Sequence, residues 1–121
     1  MLYHKDVFWD LRFDVEALEL IKTASRLSRH LQEHIASLEE KRGFDLAGIG
    51  RIVNEIKKQK SISCFEVEVE YGKVTKAVIR VEYNSKKDIC LVFRKGIVIT
   101  AWLINKNDNH KTLDKSKYSR R

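Results

Sequence analysis

The feature that most constrains this chain is a single change of hydrophobic period near residue 61. Before it, apolar residues recur every three or four positions, which predicts amphipathic helices. After it, in ISCFEVEVEY (62–71), apolar and acidic residues alternate, which predicts a strand with one buried face and one acidic face. Helices followed by strands predict an α+β fold, with N-terminal helices packed on a sheet.

Two helical segments precede this change. The first covers residues 14–42, with Asp14 as the candidate N-cap, and a break near residues 25–28 is an open alternative. The second helix begins after Asp45 and ends in a basic run. Both carry one apolar stripe, so both are expected to pack against the sheet.

Four strands are expected after the helices, joined by short turns that make neighbours antiparallel. The last two strands are apolar on both faces and should be central or covered by helices. The predicted strands are 62–71, 74–83, Ile89–Arg94 and Ile97–Leu103. Residues 1–104 are thus predicted to form one domain with a four-stranded antiparallel meander, and residues 105–121 a basic polar tail that contributes to the site.

The charge of the chain is concentrated in that tail. The 121 residues hold 24 Lys and Arg against 17 Asp and Glu, a net of +7. Residues 105–121 carry six cations and two acids among them. Such a local excess suits a polyanionic partner, whereas the alternative is a solvated tail that aids solubility. No apolar run approaches the roughly 18 residues that span a bilayer, so no membrane partner is expected.

The two cysteines carry no motif. Cys64 and Cys90 belong to no CxxC pair, so neither a metal site nor a redox motif is expected. Two buried free thiols are favoured over a disulfide, because cysteine often acts as a small hydrophobe. The chain also lacks a phosphate-binding glycine loop, and no cofactor is expected.

Two histidines stand four residues apart in the first helical segment. His30 and His34 share one helix face, but a metal site would need a third ligand that the segment does not supply. His34 alone suits a general base if it borders a cleft. Two surface histidines remain the alternative.

Two arginines lie within predicted strands. Fixed guanidinium groups at Arg80 and Arg94 suit bidentate binding of phosphate. The alternative is cross-strand pairing with Glu82 or with the acidic face of the first strand. That acidic face consists of Glu66, Glu68 and Glu70.

The tail places hydroxyl, imidazole and ammonium groups just after the strand that ends near Trp102. These groups belong to His110, Lys111, Thr112 and Tyr118. A loop that follows a strand end is a common place for a site, and disorder is the alternative.

Three segments together resemble a known group of ribonuclease toxins. In HIASLEEKRGFDLAGI (34–49), a helix with a histidine ends in Arg-Gly and a second helix follows. RKGIVITAW (94–102) is similar to the closing strands of that group, and NDNHKTLDKSKY (107–118) is similar to the tails of polymorphic toxins. The group is the BECR superfamily, which includes barnase, EndoU, colicin ribonuclease and RelE-type domains. The resemblance covers roughly residues 26–118.

The resemblance implies a metal-independent ribonuclease toxin domain that cleaves tRNA or mRNA by attack of a 2′-hydroxyl on the adjacent phosphate. It implies action in the cytoplasm, delivery as the end of a larger toxin, and an acidic immunity or antitoxin protein as partner besides RNA. The implied catalytic residues are His34, His110, Arg94, Thr112 and Tyr118. The implied substrate-binding residues are Arg80, Thr100, Lys111, Lys115 and Lys117.

Other functions fit the same residues. A non-catalytic basic module of a phage or mobile element would bind nucleic acid or protein through the tail. A domain whose acidic strand face meets a basic partner is a further alternative.

Overall fold

The computed structural model describes residues 1–33, 46–60, 62–108 and 113–120. The strands are β1 (Leu2–His4), β2 (Arg26–Leu27), β3 (Cys64–Glu70), β4 (Lys73–Glu82), β5 (Lys87–Arg94) and β6 (Ile97–Asn105). The α-helices are α1 (Leu11–Thr23) and α2 (Leu46–Lys57), residues 29–33 are also helical, and a 3₁₀ helix covers Lys115–Lys117. The α+β class is therefore confirmed.

The sheet is larger and less regular than predicted. The four predicted strands are present as β3 to β6, in meander order and antiparallel. The expectation of a four-stranded antiparallel sheet is nevertheless wrong, because the sheet has six strands in the order β1-β3-β4-β5-β6-β2. β1 adds to β3 antiparallel, and β2 adds to β6 in parallel. Strands of three and two residues are too short to show a hydrophobic period.

The first helical segment is interrupted. α1 begins after Asp10, whose side chain accepts a hydrogen bond from the Arg12 amide at 2.9 Å, so Asp14 is not the N-cap. The chain then extends through β2 before it becomes helical again. A continuous helix over 14–42 is thus wrong, and the alternative of a break near residues 25–28 is confirmed. Residues 34–45, with the proposed cap at Asp45, lie outside the described residues.

Core packing explains why the helical spacing of apolar residues continues in the sequence across the break between α1 and the next helical turn. Ile21 of α1 and Leu31 of the next helical turn are both fully buried in the same core. Ser28 begins that turn, because its hydroxyl accepts a hydrogen bond from the Leu31 amide at 3.0 Å and donates to the Ile99 carbonyl at 2.8 Å. A continuous core contact therefore comes from two separate elements.

The core lies between the helices and one face of the sheet. α1 contributes Phe13, Ala17 and Ile21, α2 contributes Ile49, Val53 and Ile56, and the strands contribute Val67, Ile79, Ile89, Leu91, Phe93 and Val98. Burial of each large aliphatic or aromatic side chain stabilises the fold by roughly 1.5–3 kcal/mol. The helices cover this face of the sheet, and the opposite face is left more open to a ligand.

Two tight turns fix the register of the meander. Tyr71 and Gly72 join β3 to β4 with φ of 53° and 76°, which is the pattern of a two-residue hairpin turn. Gly96 joins β5 to β6 with φ of 82°, a conformation that glycine adopts without strain. Because register decides which side chains share a face, these turns determine which charges meet.

Cys64 and Cys90 are both buried free thiols, as predicted. They occupy opposite faces of the sheet, since Cys64 pairs with Ile79 of the core and Cys90 pairs with Arg80. Burial raises the pKa of Cys64 to about 12 and that of Cys90 to about 11. Separately, no helix within the described ranges is long and apolar enough to cross a bilayer.

Candidate functional site

The polar face is the side of the sheet turned away from α1 and α2. Alternation along the strands places charged and aromatic side chains on it, because their neighbours in sequence fill the core. Its members are His4, Glu66, Glu68, Lys76, Val78, Arg80, Asp88, Cys90, Val92, Arg94, Thr100, Trp102 and Ile104. Those residues come from five of the six strands.

The register arranges this face in rows across the strands. One row runs from His4 through Glu66 and Val78 to Thr100. The pair of Glu68 and Lys76 lies in the row beside it. A carboxylate from β3, an ammonium from β4 and a hydroxyl from β6 are thereby brought to one region of the surface.

The C-terminal segment 113–120 crosses the edge of this face. The Ser119 amide donates to the Leu2 carbonyl at 2.8 Å, which ties the segment to β1. The Tyr118 hydroxyl then donates a hydrogen bond to Oε1 of Glu66 at 2.5 Å. Tyr118 is only 7% exposed, so the segment is docked on the sheet at this point.

His4 packs against the ring of Tyr118. It is 1% exposed, and its ring centroid lies 5.0 Å from that of Tyr118 and 5.7 Å from that of Phe65. Its Nδ1 accepts a hydrogen bond from the Asp6 amide at 3.0 Å, so Nδ1 carries no proton in this arrangement. The imidazole therefore serves as a packed aromatic that orients Tyr118.

A chain of alternating charges runs from Glu66 along the face. Lys76 Nζ lies 3.8 Å from Oε2 of Glu66 and 3.7 Å from Oε2 of Glu68. Nη2 of Arg94 lies 3.8 Å from Oε1 of Glu68. The Lys76 side chain is 20% exposed and that of Arg94 is 45% exposed. Both cations can therefore still be reached by an incoming anion.

The surroundings set the protonation of two of these groups. Burial, and then the hydrogen bond to Glu66, hold the pKa of Tyr118 above its ordinary value. A hydrogen bond with the Glu70 side chain, followed by the charges of Lys76 and Arg94, holds the pKa of Glu68 below its ordinary value. At neutral pH Tyr118 is a proton donor, and Glu68 is a carboxylate.

Arg80 is occupied by the protein itself. Its Nε donates to Asp88 at 2.8 Å, and its terminal nitrogens donate to the carbonyls of Asp108, Asn105 and Lys106 at 2.7, 3.2 and 3.3 Å. A phosphate would have to displace these partners. The pairing alternative is thus favoured for Arg80, with Asp88 as partner, while Glu82 pairs with Lys106.

A cavity of about 370 Å³ opens on the polar face between Glu66 and Trp102. The C-terminal segment forms one wall of it. Other lining residues are His4, Phe65, Val78, Cys90, Ile104, Asp108, Leu113, Asp114, Lys117 and Tyr118. A larger groove of about 590 Å³ lies between α2 and the end of β4, and its lining includes none of His4, Glu66, Lys76, Arg94 and Tyr118.

The structure brings some of the predicted site residues together. Arg94, Thr100 and Tyr118 lie on the polar face, and Nζ of Lys117 lies 5.1 Å from the centroid of the Tyr118 ring. Lys115 is exposed on the 3₁₀ helix, and His30 is exposed as well. The other candidates, His34, His110, Lys111 and Thr112, lie outside the described residues.

Sequence reasoning missed two members of the cluster and undervalued a third. Nothing in the sequence around Lys76 distinguishes it from other strand cations, and His4 belongs to a strand too short to predict. The sequence places Glu66 on an acidic strand face that could pair with the strand arginines or meet a basic partner, and assigns it no catalytic role. Glu66 and Lys76 lie on neighbouring predicted strands, and a carboxylate opposite a strand cation would have indicated the cluster. To recognise that pair from the sequence, the register between the two strands must be known.

Within the described ranges, no group of three His, Cys, Asp or Glu is arranged to hold a metal ion. Comparisons with protein-family models, with curated proteins and with solved structures found no match for this chain.

Proposed function

We propose that the chain is a ribonuclease domain that cleaves RNA on the polar face, by attack of a ribose 2′-hydroxyl on the adjacent phosphate. The observation that carries the proposal is the hydrogen bond from Tyr118 to Glu66, made beside the Lys76 ammonium. This reaction needs a proton donor, a proton acceptor and a cation, and the contact joins all three in one partly exposed cluster.

Glu66 is the proposed base. Its carboxylate accepts the proton of the 2′-hydroxyl while the 2′-oxygen forms a bond to phosphorus. Oε1 already accepts from Tyr118, and Oε2 faces Lys76 at 3.8 Å. The Glu66 side chain is 14% exposed, so it is shielded yet open to the cavity.

Tyr118 is the proposed acid. It donates its proton to the 5′-oxygen as the bond between that oxygen and phosphorus breaks. The hydrogen bond then returns the proton from Glu66 to Tyr118, and both groups regain their starting states. The products are a 2′,3′-cyclic phosphate and a 5′-hydroxyl, and the reaction consumes no external reagent.

Lys76 and Arg94 are the proposed stabilisers of the extra negative charge on the phosphorane. Glu68 lies between them, at 3.7 Å from Lys76 and 3.8 Å from Arg94. It holds the two cations in place before the substrate arrives. Preorganised charges of this kind contribute to rate because they need not rearrange during the reaction.

The net charge of +7 supports RNA as the partner and, for a toxin domain, an acidic immunity or antitoxin protein that covers the same surface. The proposed place of action is the cytoplasm, where RNA is the substrate. His34 and His110 from the sequence analysis remain proposed participants.

The test is inducible expression in bacteria, with extracted RNA run on a denaturing gel. The wild-type chain should arrest growth and fragment RNA, and Glu66→Gln and Tyr118→Phe should do neither. Glu19→Gln is the matched control, because Glu19 is an exposed acid of α1, on the other side of the sheet. Parallel His34→Ala and His110→Ala variants test those residues. Intact RNA with the wild-type chain at full expression contradicts the proposal.

A second candidate function is RNA or protein binding without cleavage. It is favoured by one observation: Lys76 and Arg94 each already face a carboxylate. A face balanced in this way suits specific docking. Binding that weakens steeply with salt, together with intact RNA, would identify this function.

A further inference from the structure

Trp102 leaves a large aromatic surface unburied on the polar face. Its exposed fraction is 40%, although the neighbouring positions Ala101 and Cys90 are buried. An indole normally buries most of its area, and exposing it costs free energy in proportion to that area. An exposed indole that lines a cavity beside charged groups is suited to a flat ligand that covers it.

The rest of the cavity fits the same kind of ligand. Val78, Ile104 and Leu113 supply apolar surface, whereas Lys117 supplies a cation. Nucleobases have π faces that stack on aromatic rings, and the phosphates attached to them require cations nearby. One ligand class, a nucleotide unit of RNA, meets both demands.

The position of Trp102 on the sheet indicates where the stacked base would lie relative to the cleaved bond. Trp102 lies on β6 and Glu66 on β3, three strand spacings across the sheet and two residues along it, which is roughly 16 Å. Both residues line the same cavity. A base stacked on Trp102 therefore belongs to a nucleotide that flanks the cleaved bond.

We propose that Trp102 and the cavity beside it form a stacking subsite for an unpaired nucleobase flanking the scissile phosphate, so that the substrate is single-stranded RNA. Bases within a duplex are already stacked on each other and cannot offer a face to Trp102. This inference rests on the proposed function, in that RNA is the ligand that crosses the polar face.

Binding is measured without cleavage by using an oligonucleotide of about ten residues, within the span of single-strand binding sites, with 2′-O-methyl groups on every ribose. The protein carries Trp9→Phe, so that Trp102 is the remaining tryptophan. Trp9 packs edge-on against Phe13 at 5.3 Å, on the helix-covered side, and its Nε1 donates to Oδ2 of Asp14 at 3.2 Å. Phe at this position keeps a ring against Phe13 and loses that hydrogen bond, so the fold of the variant is first checked by circular dichroism. The single-stranded probe should quench Trp102 emission, and the same probe annealed to its complement should not.

Variants of Trp102 test the stacking directly. Trp102→Leu should weaken binding of the labelled single strand by about tenfold or more, and Trp102→Phe should retain most of it. An abasic residue at one position of the probe should reproduce the loss in the wild-type protein. Equal binding by all three proteins, or equal quenching by duplex and single strand, overturns the subsite.

The two proposals fail separately. If the wild-type chain fragments RNA but Trp102→Leu binds the probe normally, the subsite is wrong and the ribonuclease stands. If the probe quenches Trp102 but an unmodified RNA of the same sequence stays intact, Trp102 stacks on a base of bound RNA, whereas the ribonuclease and the position of that base beside a cleaved bond are wrong. If neither quenching nor cleavage occurs, both are wrong.

Discussion

The Tyr118 hydroxyl donates to the Glu66 carboxylate across 52 residues of sequence, and this contact joins the C-terminal segment to the third strand. It places the donor on a segment held at the edge of the sheet and the acceptor on a rigid strand. Together with the hydrogen bond from the Ser119 amide to the Leu2 carbonyl, it holds the segment against the polar face.

Loss of either partner is expected to remove activity while the fold remains. Glu66→Gln and Tyr118→Phe should each lower the rate of RNA cleavage by about 10²- to 10⁴-fold, the usual contribution of an acid or base. The double variant should be little slower than the slower single variant, because the two groups act as one unit. The rate is measured on purified protein whose circular dichroism matches the wild type. Additive losses in the double variant would show that the two groups act separately.

Arg80 is expected to matter for structure and not for phosphate binding. Arg80→Met removes hydrogen bonds to three backbone carbonyls and to Asp88, and should destabilise the fold by about 1–3 kcal/mol. Urea denaturation measures this loss. Trypsin should also cleave faster after Lys115 and Lys117, whose segment follows the loop that Arg80 holds.

The control for Arg80 is Arg94→Met, which removes a guanidinium with one ion pair at 3.8 Å and 45% exposure. Its unfolding free energy should stay close to that of the wild type. The opposite ranking of the two variants would contradict the structural assignment of Arg80.

Stability should fall in alkali because of Cys64. The thiol has an ordinary pKa of 9.0, which burial raises to about 12 in the folded chain. Between these values the unfolded state loses its thiol proton and the folded state keeps it, so the free energy of unfolding decreases as pH rises from about 9 to about 12. Cys64→Ala should show a shallower decrease over this window, by up to about 1.4 kcal/mol per pH unit. Parallel slopes for the two proteins, from urea denaturation at several pH values, would contradict this.

Two glycines should respond oppositely to alanine. A Cβ on Gly50 of α2 would meet no atom within 4 Å, so Gly50→Ala should stabilise the protein by about 0.5–1 kcal/mol. Gly96 has φ of 82°, and Gly96→Ala should destabilise it by about 1–2 kcal/mol. Midpoints of thermal unfolding measure both effects. Destabilisation by Gly50→Ala would show that α2 is packed more closely at that position.

The sequence was most informative where the hydrophobic period was long. Alternation in β3 and the short turns predicted four strands and their antiparallel order. The position of the break after α1 was hard to predict, because Ile21 and Leu31 lie in separate elements but are buried in the same core. β1 and β2 owe their pairing to long-range contacts, which leave no local pattern.

The candidate site was less predictable than the fold. Arg80 and Arg94 both lie in strands, as predicted, but their surroundings differ because of the register and the path of the chain after β6. Asp88 and three carbonyls surround Arg80, whereas Arg94 remains half exposed. Tyr118 meets Glu66 only because the C-terminal segment returns to β1, which composition alone does not reveal.

The most direct test of the central claim is incubation of the purified chain with a single-stranded RNA in the presence of a chelator, followed by mass analysis of the product ends. Fragments that end in 2′,3′-cyclic phosphate are expected, with none from the same sequence carrying 2′-O-methyl riboses and at least about 10²-fold slower formation by the Glu66→Gln protein. Intact RNA, cleavage of the 2′-O-methyl strand, or fragments that end in a 3′-hydroxyl would contradict it.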